Sequence, residues 1–318
     1  MIRIDVRDLA GVSEARERVR ELAEPGGALF AASAALVVSE LGTNQLRYAG
    51  GGRIALRRIA RDGVDGVEIE AEDDGPGIPD VARAIAGEQG SEGSLGVGLA
   101  AVRRAAVELD VDTRRGEGTQ IRARLFAGVV RRRPTVAVVG ASLAGEPKSG
   151  DTAGSWRGDA FLSVMLCDGL GHGPLARAPA DAALEIAAGM PSLPPGEVVE
   201  ACGRGLRGSR GAVLAFARMD DAGEVEVAGL GNIQVGFCTA GRVERVALGP
   251  GFAGAPARPV RTSRVTSHRP TWVLATDGVR DPFALCANAG ALPPWALAQR
   301  ILAAGHRGHD DAMVVVVR

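Results

Sequence analysis

The chain has 318 residues, 37 Lys and Arg against 38 Asp and Glu, and 46% hydrophobic residues, so its length predicts about two globular domains. Balanced charge and only 3% aromatic residues argue against a nucleic-acid partner. No apolar run approaches the roughly 18 residues that cross a membrane, and the opening MIRIDVRDL carries charges, so we expect a cytoplasmic protein without a membrane anchor.

Apolar periodicity in the first part of the chain predicts a mixture of helices and strands. Helices are expected over residues 13–23, 28–49 and about 97–108. Strands are expected for RIALRRI, for GVEIEAED and around 121–125, since in each of the last two apolar residues alternate with charged ones. One sheet covered by one helical layer, an α+β sandwich, fits this order.

A basic run ending in proline, AGVVRRRP at 127–134, marks a domain boundary. We place one domain at 1–127, an exposed linker at 128–133 and a second domain at 134–318. In the second domain apolar strands such as FLSVMLC, GAVLAFARM and AMVVVV outnumber the helices expected at about 174–189, 196–206 and 294–304. These helices are too few to form a crossover between every pair of strands, as a parallel sheet would need. We therefore predict an antiparallel β-sandwich flanked by helices.

Polar residues and glycines of the first domain occur in an order that suggests a phosphate-containing ligand. Glu40 and Asn44 lie one helical turn apart, on one face. Asp73, Gly75 and Gly77 directly follow a strand, where backbone can approach a ligand closely. A helix follows a second glycine-rich segment, and Thr119 precedes the last strand. That second segment contains Gly93, Gly96 and Gly98.

This order resembles the GHKL ATPase superfamily, and within it the switch kinases of the RsbT and RsbW type. SELGTNQLRYAGGG is similar to the family's N box, EDDGPGIPDV to its first glycine box, and SLGVGLAAVRR with GEGT to its second. The resemblance implies ATP with Mg²⁺ held through Asn44, adenine recognised by Asp73 near Thr119, and phosphates covered by the Gly93 to Gly98 loop. It implies that Glu40 is the base that activates a Ser or Thr hydroxyl.

Acidic residues of the second domain are found at the ends of apolar strands. Carboxylates gathered there repel one another unless cations neutralise them, and oxygen ligands favour Mg²⁺ or Mn²⁺ over zinc. The residues are Asp151, Asp168, Asp277, Asp310 and Asp311.

The motifs that contain them, SGD, CDGLGHGPLA, LATDGV and HDDAMVVVV, resemble the SpoIIE and RsbX branch of the PPM-type metal-dependent phosphatases. This resemblance implies two metal ions, Mn²⁺ or Mg²⁺, helped by the Gly169 carbonyl. Asp159 is a rival to the first ligand, and His172 is either a proton donor or a structural residue. The implied carboxylate ligands are Asp151, Asp168, Asp277 and Asp310.

Together the two resemblances imply a kinase and a phosphatase that act on Ser or Thr of a STAS-domain protein, of the anti-sigma-factor antagonist or stressosome type. Two alternatives stay open for the first domain. In the first, the domain binds ATP and a partner without phosphorylating it and so positions the phosphatase on that partner. In the second, the domain is an anti-sigma factor. Because switch kinases of this type often pair through their sheets, the resemblance also leaves a homodimer open.

Overall fold

The computed structural model describes residues 1–87, 98–220, 222–256, 260–265, 270–285 and 292–318. The chain divides into two compact units, Met1–Ala137 and Val138–Arg318. Among the described residues, no helix has both the length and the apolar character needed to cross a bilayer.

The first unit is an antiparallel sheet with the strand order β1-β2-β3-β5-β4 and a layer of helices. A 3-10 turn joins the first two helices, and a π-helical turn at Gln45–Ala49 follows the second. The elements are β1 (Ile2–Val6), α1 (Leu9–Ala23), α2 (Ala28–Asn44), β2 (Gly52–Arg61), β3 (Val64–Asp73), α3 (Val81–Ala86), α4 (Gly98–Ala105), β4 (Glu108–Arg115) and β5 (Gly118–Phe126).

Alternation along the strands decides which sheet face the helices cover. On β3 the side chains of Val67 and Ile69 are buried, and α1 and α2 pack against this strand. Glu68, which points to the other face, is also buried, because it forms ion pairs with Arg57 and Arg124. The predicted α+β sandwich is therefore confirmed.

The sequence-based prediction was wrong for the segment after α4. We expected a helix to about residue 108, but α4 ends at Ala105 and β4 begins at Glu108. In β4 the buried Leu109 and Val111 alternate with Asp110 and Asp112, which is the period of a strand. The first strand, β1, was also missed.

The segment expected to be an exposed linker is bonded to the first unit through its backbone. The Arg131 N–H donates to Asp62 Oδ2 (3.0 Å), and the Arg133 N–H donates to Glu108 Oε1 (2.8 Å). At the start of the next strand, the Val136 N–H donates to Asp110 Oδ1 (2.8 Å). The side chains of Val129, Arg131 and Arg132 in this segment are exposed.

The second unit contains two sheets, with the strand orders β6-β15-β14-β11-β12 and β13-β10-β9-β8-β7. Strands β7, β12 and β13 were not predicted from the sequence. The strands are β6 (Val136–Ala141), β7 (Asp151–Arg157), β8 (Phe161–Gly169), β9 (Ala212–Asp220), β10 (Val225–Leu230), β11 (Gln234–Thr239), β12 (Arg242–Val246), β13 (Thr262–Val265), β14 (Thr271–Ala275) and β15 (Ala312–Val317). The helices are α5 (Gly173–Ala188), α6 (Pro195–Gly205) and α7 (Pro294–Gly305).

Helices flank these sheets, as predicted. Helices α5 and α6 pack against β8, β9 and β10, where their apolar side chains join a buried cluster around Met165 and Phe216. Helix α7 packs against β15, of which every residue is buried. The strands that end in the predicted acidic residues are thus held in the core of the unit.

Candidate functional sites

A cavity of about 590 Å³ lies in the first unit between α2, the end of β3 and the start of α4. This volume is in the range of nucleotide and drug-sized ligand sites. The predicted residues Glu40, Asn44, Asp73, Gly77 and Thr119 line it, together with Gly98. Residues far apart in sequence are therefore brought to one site.

Asp73 supplies a carboxylate to the wall of this cavity. Its Oδ1 accepts the Gly75 N–H (3.0 Å), and Asp73 stands opposite Thr119 in the pairing of β3 with β5. Burial raises the pKa of Asp73, and the hydrogen bonds from the Gly75 and Thr119 backbone oppose this shift. A half-buried acceptor of this kind suits an amino group of a ligand.

The backbone at Gly98 lies close to the two polar residues of α2 that line the cavity. A β-carbon on Gly98, at the start of α4, would lie 3.2 Å from Glu40 Oε2 and 3.5 Å from Asn44 Nδ2. The backbone of α4 therefore approaches both polar residues of α2. Gly93 and Gly96 lie outside the described residues.

Sequence reasoning missed Thr113, whose hydroxyl supports the same wall. Its Oγ1 accepts the Ile78 N–H (2.7 Å) and lies 3.1 Å from Thr119 Oγ1. Thr113 belongs to β4, a strand that was not predicted, so the alternation of this strand was the overlooked signal. Gln45, also missed, donates to the carbonyls of Arg53 (2.9 Å) and Glu72 (3.0 Å) and fixes the end of α2 to the sheet.

The second unit brings the predicted acidic residues together at one end of its sheets. Asp151, the first residue of β7, pairs directly with Asp168 near the end of β8. Gly169 follows, and its N–H donates to Gly150 O (3.3 Å). Asp151 Oδ2 accepts the Thr276 hydroxyl (2.7 Å), which places the start of β7 next to the end of β14.

The remaining carboxylates come from the loops after β14 and before β15. Asp277 Oδ2 accepts a hydrogen bond from Asn232 Nδ2 (2.8 Å), and Asp310 Oδ1 accepts the Asp311 N–H (2.9 Å). Asp311 is buried and accepts the N–H groups of Leu143 and Gly150, both at 2.7 Å. Asp311 therefore holds the loop before β7 in place.

Burial and repulsion between neighbouring carboxylates raise the pKa values of this cluster. Burial and the carboxylates of Asp277, Asp310 and Asp311 raise the pKa of Asp168 to about 7. Burial, followed by the charge of Asp168, raises the pKa of Asp151 well above its ordinary value. Burial also raises the pKa of Asp310. Such a cluster is suited to bind cations.

The donor set fits hydrated Mg²⁺ or Mn²⁺ ions. Among the described residues, no three His, Cys, Asp or Glu side chains are grouped closely enough to hold an ion on their own. Mg²⁺ typically keeps several waters and takes only one or two protein carboxylates, so spaced carboxylates and one backbone carbonyl suit it.

Asp159 and His172, the two residues whose roles the sequence left open, occupy different positions in the second unit. Asp159 is exposed in the turn between β7 and β8, at the opposite end of the hairpin from the Asp151–Asp168 pair. His172 precedes α5, and its Nδ1 is 2.6 Å from Glu146 Oε1. This geometry favours Asp151 over Asp159 as the partner of Asp168.

Comparison with known proteins agrees with the cavity of the first unit. Residues 31–128 match the histidine kinase-, DNA gyrase B- and HSP90-like ATPases. The chain is also 42% identical over 86 residues to the serine/threonine-protein kinase RsbT of Bacillus subtilis (strain 168). That match covers 27% of this chain and 65% of RsbT. The predicted GHKL-type domain at the amino terminus is confirmed.

Solved structures agree with the architecture of the second unit. A structure described as "The bacterial stressosome: a modular system that has been adapted to control secondary messenger signaling" is 28% identical, with a TM-score of 0.55. The match covers 58% of this chain and 100% of the chain in that structure. RsbX in complex with magnesium has a TM-score of 0.53 at 17% identity, and the match covers 59% of this chain and 96% of RsbX. The predicted antiparallel β-sandwich flanked by helices is confirmed as a fold shared with these structures.

Proposed function

We propose that the chain is a bifunctional partner-switching regulator. The first unit phosphorylates a Ser or Thr of a STAS-domain protein, and the second removes phosphate from a phosphoserine or phosphothreonine of such a protein. The observation that carries the proposal is the presence of two different sites in one chain, a nucleotide-sized cavity and a buried carboxylate cluster. The similarity to RsbT, a serine/threonine-protein kinase, supports the first activity.

In the first site ATP is the substrate, and each lining residue has a separate role. Asp73 accepts the adenine amino group, next to the Thr119 hydroxyl. Glu40 takes the proton of the attacking Ser or Thr hydroxyl, since it is the carboxylate on the α2 face of the cavity. Asn44, one turn further along α2, is the residue that would hold Mg²⁺, which offsets phosphate charge when bound.

In the second site Asp151, Asp168, Asp277 and Asp310, with the Gly169 carbonyl, would hold two Mg²⁺ or Mn²⁺ ions. When bound, the ions supply Lewis-acid activation of water and offset charge on the phosphoryl group. His172 donates a proton to the leaving serine oxygen. Its Nδ1 is held by Glu146, and its Nε2 makes no hydrogen bond to any described residue.

The experiment follows phosphate on purified STAS-domain proteins incubated with the full chain, ATP and Mg²⁺ or Mn²⁺. Glu40→Gln should retain ATP binding by calorimetry and lose phosphotransfer, Asn44→Ala should weaken Mg²⁺-dependent binding, and Glu17→Gln on exposed α1 is the control. ATP binding without any phosphotransfer would favour the alternative in which the first unit is a non-catalytic ATP-binding module. Capture of a sigma factor instead would favour the anti-sigma alternative.

The phosphatase activity is tested on the phosphorylated partner without ATP. Asp151→Asn and Asp168→Asn should abolish release of phosphate, as should EDTA, whereas Asp159→Asn should have no effect. Activity that survives removal of the metal would refute the proposed chemistry. Damage by Asp159→Asn alone would refute the ligand assignment.

A further inference from the structure

The loop between α6 and β9 lies beside the motif that contains Asp168 and Gly169. Ala212, the first residue of β9, pairs with Gly169 at the end of β8. One residue further on, the Leu170 N–H donates to Gly211 O (3.1 Å). The residues immediately before β9 therefore run alongside the loop 169–173 at the carboxylate end of the sheet.

Arg210 is the basic residue of this loop that approaches the motif. A β-carbon on Gly171, which has φ of +106°, would lie 3.2 Å from Arg210 Nη1. The loop is held by hydrogen bonds, since the Ser209 hydroxyl donates to Leu206 O (2.7 Å) and accepts the Gly211 N–H (3.0 Å). The backbone that presents Arg210 is therefore ordered by its own contacts.

The guanidinium of Arg210 has no partner among the residues that the structure describes. It is exposed and takes part in no ion pair or side-chain hydrogen bond there. Other cations of this region are engaged: Lys148 Nζ lies 3.7 Å from Asp181 Oδ2, and Arg177 Nε lies 2.5 Å from Asp181 Oδ1. Arg210 is thus a cation beside the loop that follows Asp168, and its donors remain available.

The charge balance of the site favours such a cation. Two divalent ions offset at most four negative charges, and the cluster contains the carboxylates of Asp151, Asp168, Asp277, Asp310 and Asp311. A phosphomonoester dianion would therefore enter a site with no surplus of positive charge. A guanidinium offers a planar pair of N–H donors that matches two phosphate oxygens.

We propose that Arg210 binds the phosphoryl group of the substrate in the second unit. The proposal rests on the phosphatase function proposed above. It adds a substrate-binding residue from the α6–β9 loop, and it implies that Arg210 recognises the phosphate itself rather than the surrounding protein. All phosphomonoesters should consequently depend on Arg210 to a similar degree.

The experiment uses the full chain with Mn²⁺ and without ATP. Hydrolysis of p-nitrophenyl phosphate and of a phosphoserine peptide is compared for Arg210→Gln, Arg210→Lys and Arg207→Gln, the last being an exposed arginine of the same loop. Binding of inorganic phosphate is measured separately by calorimetry, so one readout does not depend on turnover.

Loss of a charged hydrogen-bonding partner should weaken phosphate binding and raise KM for both substrates by about 10- to 100-fold in Arg210→Gln. Arg210→Lys should restore part of the loss, since it keeps the charge without the paired donors, and Arg207→Gln should behave as the parent chain. Unchanged phosphate affinity and KM in Arg210→Gln, in a chain that hydrolyses both substrates, would overturn the proposal and leave the phosphatase function standing.

Two other outcomes separate the proposals further. An effect on the peptide alone would mean that Arg210 contacts the protein substrate, which also overturns the proposal. A parent chain that binds phosphate through Arg210 without hydrolysing either substrate would support the binding role and refute the phosphatase function. A chain that neither binds phosphate nor hydrolyses either substrate would refute both.

Discussion

Asp168 shows how a single residue couples stability to ligand binding. Its carboxyl pairs across the strands with Asp151 and lies near three other carboxylates. The pKa of Asp168 rises from 3.8 to about 7 in the folded chain, because burial and these neighbours disfavour its charge. The folded state consequently holds a proton that the unfolded chain has released.

This shift predicts a pH-dependent effect of Asp168→Asn in the metal-free chain. Between pH 3.8 and about 7 the folded state binds more protons, so the free energy of unfolding falls as pH rises. Asn removes the charge. At pH 8 with EDTA, the variant should be more stable by up to about 4 kcal/mol, and at pH 4 the gain should vanish. Urea unfolding at the two pH values measures this difference.

Asp159→Asn is the matched control, because Asp159 is exposed in the turn at the other end of the same hairpin. Its effect on stability should be small and equal at both pH values. Added Mn²⁺ should stabilise the parent chain more than Asp168→Asn. Equal stability differences for Asp168→Asn at pH 4 and pH 8 would contradict the argument.

At the scale of elements, the pairing of β3 with β5 positions the polar wall of the cavity in the first unit. Gly118 begins β5 with φ of +106°, and a β-carbon there would lie only 2.0 Å from Asp73 O. Asp73 and Thr119 face each other one residue further along the ladder. The glycine therefore permits the close approach that aligns both residues.

Gly118→Ala should destabilise the chain and weaken ATP binding, because the added methyl group forces β5 away from Asp73. Overpacking and the left-handed backbone together should cost roughly 2–4 kcal/mol. Gly116→Ala is the control, since Gly116 has φ of +81° but open space around it, so only the backbone cost of about 1 kcal/mol applies. Similar losses in both variants, by denaturant unfolding and calorimetry, would exclude the proposed steric effect.

A second feature at this scale is the ion-pair layer on β2, β3, β4 and β5. Glu108 is 1% exposed and Arg61 is 9% exposed, and they are joined by a two-pronged ion pair. Arg124 bridges Glu68 and Asp110, both at 2.7 Å. Glu108 and Asp110 also accept backbone N–H groups of the segment after β5.

Glu108→Gln should cost roughly 3 kcal/mol, because it leaves the Arg61 charge buried without its counter-charge. It should also speed tryptic cleavage at Arg131 to Arg133, since the Arg133 N–H loses a charged acceptor. Asp65→Asn, which breaks the half-exposed pair with Arg58, should cost under about 1 kcal/mol and leave cleavage unchanged. Equal cleavage rates in the two variants would refute the anchoring role of Glu108.

These elements also show what the sequence could and could not predict. The alternation in β3 and the apolar runs of β8, β9 and β15 correctly predicted strands, because burial of one or both faces leaves a local pattern. The ion-pair layer leaves no such pattern. From the sequence alone, Glu108 and Arg124 look like ordinary solvent-exposed charges, because only the register of the strands brings them together. Likewise, Arg210 and Gly171 meet only through the pairing of β8 with β9.

At the scale of the whole molecule, one chain contains both proposed sites. If both act on the same STAS-domain partner, the phosphate that the partner carries is set by the ratio of two opposing rates. In the proposed function, the first unit sets the rate at which phosphate is added and the second unit sets the rate at which it is removed. Variants that remove one activity should therefore shift this steady state in opposite directions.

Asp168→Asn should raise the steady-state phosphate on the partner several-fold in the presence of ATP, because addition continues without removal. Glu40→Gln should lower it towards zero. The sites have no residue in common, so the two effects should combine independently, and the double variant should keep whatever phosphate the partner already has. Phosphate-affinity gels and mass spectrometry measure the level, with Asp159→Asn and Glu17→Gln as controls. If Asp168→Asn leaves the level unchanged while the parent chain dephosphorylates another phosphoprotein, the two units serve different partners.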